Sequence, residues 1–94
     1  MKNLRISADV EDKLKNKHSV TRSEVEQCFS NRFGRLLMDD RAKHKTNPPT
    51  LWFLAPTNKG RTLKIVYIQD GLHVNLRSAF EPNTVEVDIY SRHG

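Results

Sequence analysis

The sequence predicts a small α+β domain, and three observations carry the prediction. A capped helical segment follows Ser7, a second helix is announced at Thr21, and from Leu51 onward three apolar runs are separated by hairpin signals. Ninety-four residues make one domain. A chain of that size buries only roughly 60 to 65% of its unfolded surface, so the core is small and any site lies near the surface.

Leu4-Arg5-Ile6 is a short alternation that fits an edge strand. Ser7 caps the first helix, with Asp9, Glu11 and Asp12 early and Lys13, Lys15 and Lys17 late, a charge order that complements the helix dipole. Val10, Leu14 and His18 recur every four residues as a thin apolar stripe ending in an imidazole. Thr21-Arg22-Ser23-Glu24 is a capping box, with Val20 and Val25 placed to form its hydrophobic staple. His18-Ser19-Val20 is therefore a tight joint between two helices. Val25, Cys28, Phe29 and Phe33 are expected on the inner face of the second helix, and Gly34 supplies its stop.

"RLLMDD" reads as a short strand. The polar run "RAKHKTNPP" after it carries Arg41, Lys43, His44 and Lys45 and reads as an exposed basic loop, either a solvated connector or a grip for phosphates. The runs 51–55 and 62–68 are joined across Thr57-Asn58-Lys59-Gly60, with Gly60 in the left-handed place of a three-residue loop. Asp70-Gly71 then makes a two-residue turn into 72–78. That turn sets Ile68 against His73, Val66 against Asn75 and Lys64 against Arg77. Leu63, Ile65, Tyr67, Leu72, Val74 and Leu76 share the core face. Lys64, His73, Asn75 and Arg77 lie on the other, beside Val66, Ile68 and Trp52. Two cations facing each other repel, so Lys64 and Arg77 call for a nearby carboxylate or an anionic ligand, unless the pair is simply solvated. In the tail, Val85, Val87 and Ile89 alternate as in a strand, while Asn83 and Glu86 have the capping-box spacing of a helix. Pattern alone leaves both open.

Sixteen Lys and Arg against eleven Asp and Glu give a net charge of +5, a balance that suits polyanionic partners, nucleic acid first among them. Cys28 is the single cysteine, so no internal disulfide forms. The first residues do not resemble a signal peptide, and a cytoplasmic setting is expected. No run approaches the roughly 18 apolar residues of a membrane span. His18, His44, His73 and His93 are scattered without metal-ligand spacing, so neither a metal nor another cofactor is expected.

Three blocks resemble the BrnT-type toxins, small RelE-related ribonucleases of bacterial toxin–antitoxin pairs. "KNKHSVTRSEVEQCF" is similar to that family's lysine-rich helix end, Lys-His-Gly-Val and second helix, through Lys17, His18 and Val20, with Ser19 in place of the glycine. "GRTLKIVYI" resembles its Gly-Arg-x-Leu-x-Val-Val-Tyr strand through Gly60, Arg61, Leu63, Val66 and Tyr67. "RSAFEPNTVEVDIY" resembles its Ser-Ala-Arg ending through Ser78, Ala79, Glu86 and Tyr90, with Asn83 where a threonine caps the final helix. The resemblance implies a RelE/BrnT-like domain: two N-terminal helices packed on a three- to four-stranded antiparallel sheet, and a short C-terminal helix. It also implies a metal-independent endoribonuclease neutralised by a cognate antitoxin protein. Phe80 stands where the family motif carries its phosphate-binding arginine, which leaves a second reading: a catalytically inactive nucleic-acid- or protein-binding module on the same scaffold.

Metal-free RNA cleavage needs a base for the 2′-OH, an acid for the leaving oxygen and cations for the phosphorane between them. Arg61, Lys64 and Arg77 are the expected clamp, and His18, His73, Glu86 and Tyr90 the groups able to move protons. Lys17, with Arg41, Lys43 and Lys45, would add phosphate contacts. Each has a plainer alternative: His18 as a capping imidazole, Glu86 as the partner of Asn83, and Tyr90, Trp52 and Tyr67 as packing aromatics.

Overall fold

The computed structural model describes residues 1–39 and 46–94. The order is β1 (Leu4–Arg5), α1 (Ala8–Lys13) continued by a π-helical turn (Leu14–His18), α2 (Arg22–Asn31), β2 (Leu37–Met38), β3 (Thr50–Pro56), β4 (Thr62–Asp70), β5 (His73–Phe80) and α3 (Thr84–His93). The class is α+β as expected, but the sheet is larger than expected and mixed. Its five strands run β1-β5-β4-β3-β2, with β1 parallel to β5 and every other pair antiparallel.

The caps form where their chemistry places them. Ser7 accepts from the Val10 amide, Thr21 and Glu24 close a full capping box, and Asn83 and Glu86 close another. The last decides the ambiguous tail as a helix, because the box satisfies amides that a strand would have to pair elsewhere. Val25, Cys28, Phe53, Leu63, Ile65 and Ala79 are the innermost of the core. α2 and the α1 end cover this face of the sheet. The Cys28 thiol donates to the Ala55 carbonyl at 3.4 Å, and burial pushes its pKa up to about 11, so it stays protonated and unreactive. Alternation sends Trp52 and Lys64 to the opposite face, where α3 contributes Glu86 and Tyr90.

Three expectations are corrected. Gly71 takes the first loop position with φ 58°, as in a type II′ turn, so the loop is Gly71-Leu72 and Asp70 pairs with His73. Leu72 consequently leaves the core and is 84% exposed. A bulge then interrupts the ladder between Val66 and Tyr67: Tyr67 pairs with Leu76 and Val66 with Ser78, leaving Arg77 as the extra residue. Lys64 therefore faces Phe80 and not Arg77. Finally, Phe33 lies beyond the end of α2 and is 94% exposed, not packed on the inner face.

Candidate nucleic-acid interface

The joint between α1 and α2 is built from a widened helical end. The Leu14 carbonyl accepts from the amides of both Ser19 and Val20, giving the π turn in place of a regular α-helical last turn. Single π turns on α-helices often mark functional positions. Ser19 then takes a left-handed backbone, φ 52° and ψ 48°, a conformation that glycine adopts without strain and serine does not. Leu14 is buried and His18 half-buried, so the apolar stripe does end in an inward-leaning imidazole.

Arg61, immediately before β4, fastens this joint to the sheet. Its Nη2 donates to the His18 carbonyl at 2.9 Å and its Nη1 to the Ser19 carbonyl at 2.8 Å. The same guanidinium meets Glu24 at 3.3 Å and Glu81 at 2.9 Å. The hydrogen bond to Glu81 is the main reason its pKa is raised. For Glu24, burial would raise the pKa, but the Thr21 amide and Arg61 together bring it below the ordinary carboxylate value. All three guanidinium nitrogens thus have partners inside the fold.

Lys64 is equally engaged. It is 7% exposed, its Nζ lies 2.5 Å from Glu86 Oε2, and the ammonium sits 4.6 Å from the centre of the Trp52 ring and 5.7 Å from that of Phe80. Rings and carboxylate together replace the water that the ammonium has lost. Phe80 in turn meets the His18 ring at 5.4 Å between centroids, tilted by 34°. Burial lowers the His18 pKa, and the charges of Lys17 and Lys13 lower it further.

The structure thus gathers His18, Arg61, Lys64 and Glu86 around the end of β5, with Phe80 in ring contact with both His18 and the Lys64 ammonium, while Lys17 is exposed on the helix end beside His18. Tyr90 stands further along α3, with its ring 5.7 Å from Trp52 and its hydroxyl donating to the Arg35 carbonyl at 2.8 Å. Burial raises its pKa, which makes it a poor proton donor or acceptor at neutral pH. Arg77 is exposed on the bulge and makes no ion pair among the described residues. His73 begins β5, at the far end of the strand from Phe80, a separation of roughly 20 Å. Arg41, Lys43 and Lys45 lie outside the described residues. Beside the group, α3 and β2 to β4 enclose a cleft of about 540 Å³ lined by Met38, Trp52, Lys64, Glu86, Ile89 and His93.

Sequence reasoning missed the parts of Glu24 and Glu81 as partners of Arg61, and of Trp52 as a partner of Lys64. Glu24 was visible only as a cap, and its second carboxylate oxygen had no assigned partner. No described helix is long and apolar enough to cross a membrane, and no cluster of three or more His, Cys, Asp or Glu among the described residues is arranged to hold a metal. Compared with protein-family models, curated proteins and solved structures, the chain matches none.

Proposed function

We propose that this protein is an RNA-binding module on a toxin-like scaffold, engaging RNA on the face where Lys13, Lys17, His18 and Phe80 meet. A net charge of +5 and exposed lysines along the α1 end support a polyanionic partner. The BrnT-like reading draws support from Ser19, because a glycine in its place would take the left-handed backbone without strain. Binding in preference to efficient cleavage rests on one observation: Arg61 and Lys64 are held by Glu24, Glu81 and Glu86. A cation already neutralised by the fold offers a developing phosphorane little charge unless its carboxylate withdraws.

The second reading, a metal-independent endoribonuclease restrained by an antitoxin protein, is favoured by His18. Its lowered pKa keeps the imidazole neutral at pH 7, the form that accepts a 2′-OH proton. Incubation of the purified protein with mixed single-stranded RNA in EDTA, across a salt series, separates the two. The binding module retains RNA without shortening it, and Lys17→Ala reduces the slope of log affinity against log salt by about 0.7. Cleavage that His18→Ala abolishes would establish the nuclease instead. RNA that is neither retained nor cleaved would overturn both.

A further inference from the structure

We infer that Phe33, flanked by Arg32 and Arg35, is a stacking point for an unpaired base of single-stranded RNA; the inference rests on the RNA-binding reading above. At 94% exposure Phe33 is the most exposed large apolar side chain described. Its backbone is nevertheless pinned on both sides. A methyl group at Gly34 would lie 2.4 Å from the Tyr90 hydroxyl, so the chain passes directly under that ring. Tyr90 donates to the Arg35 carbonyl at 2.8 Å, and Arg32 Nη1 donates to the Gly34 carbonyl at 2.5 Å. Arg32 also lies over the Phe53 ring at 5.9 Å, which ties the segment to the core.

A ring presented from fixed backbone has already lost most of the freedom that stacking would remove. Neither Arg32 nor Arg35 forms an ion pair among the described residues. One exposed aromatic between two unneutralised guanidinium groups matches the chemistry of a single strand, whose base offers a π face while its adjoining phosphates offer charge. A protein partner would fit an aromatic set in an apolar surround, and here the nearest side chains along the chain on either side are cationic or absent. α2 separates this point from the His18 joint by about 15 Å, a distance that a few nucleotides of extended RNA span.

The test is fluorescence anisotropy of a labelled single-stranded oligoribonucleotide, and of the same sequence in a duplex, with the parent, Phe33→Ala and Phe33→Tyr. Because Phe33 packs on nothing, both variants should keep the parent's circular dichroism. Stacking predicts about tenfold weaker single-strand binding for Phe33→Ala and parental binding for Phe33→Tyr. Duplex binding should be unchanged, since its bases are already stacked. A parent that binds and a Phe33→Ala variant that binds equally well would overturn the stacking point and leave the RNA-binding reading intact. A parent that binds no RNA would overturn both.

Discussion

Phe80 lies directly across from Lys64 in the β4–β5 pairing, with Lys64 Nζ 5.7 Å from the centre of its ring. At position 80 the chain carries a ring that shelters a cation already bound to Glu86. The local chemistry encloses charge and does not present it.

Removing the carboxylate takes the ion-pair partner from the Lys64 ammonium in a poorly hydrated place. Glu86→Gln should destabilise the fold by about 2 kcal/mol, and Lys64→Met with Glu86→Gln should recover more than half of that loss. Urea unfolding of the single and double variants measures the coupling. Equal losses in both would show that the pair contributes nothing as a pair.

Arg61 reaches four acceptors through a planar fork that a lysine cannot reproduce. Arg61→Lys should therefore cost about 2 kcal/mol of stability, allowing for the exposure of Glu81. A variant with parental stability and lost RNA binding would instead assign Arg61 to the ligand.

What the sequence made legible was chiefly local. Ser7, the Thr21–Glu24 box and the Asn83–Glu86 box specify helix starts through bonds within one turn, so spacing alone identifies them. Gly60 likewise sits in the left-handed place its hairpin demands, at φ 84°. Strand register was less accessible, because a glycine fits either position of a two-residue loop and the choice moved every partner in β5. The bulge at Arg77 left no mark in the apolar pattern, and with it went the expected Lys64–Arg77 opposition. The parallel pairing of Leu4 with Val74 joins segments seventy residues apart that no short-range signal connects. At the site, residue types were readable but their allegiances were not: spacing shows that Arg61 is near a turn, not that two glutamates claim it.

Ser19→Gly should stabilise the protein by about 0.5 to 1 kcal/mol. The relief of a left-handed non-glycine residue exceeds the added freedom of the unfolded chain. Ser19→Val should move the midpoint the other way. Paired thermal melts decide the matter, and a loss on introducing glycine would mean that the serine hydroxyl has an unrecognised partner.

Stability should fall as pH is lowered from 7 to 5. The His18 pKa is lower folded than unfolded, first by burial and then by Lys17 and Lys13. The unfolded chain therefore binds more protons through this window, and stability is lost as pH drops below the unfolded value of about 6.5. His18→Gln should flatten that part of the profile. Below about pH 4.5 Glu24 adds a second loss of the same sign, because its folded pKa is also lowered. An unchanged slope in His18→Gln would show that another group governs it.

The guanidinium that completes the π turn belongs to a residue 43 positions further along the chain. The turn's last carbonyls take their donor from Arg61, which the β3–β4 hairpin brings into place, so the helical end and the hairpin should open and close as one cooperative unit. Amide exchange at Val20 should then report on the hairpin, and it should quicken in step with Ile65 when Arg61 is replaced.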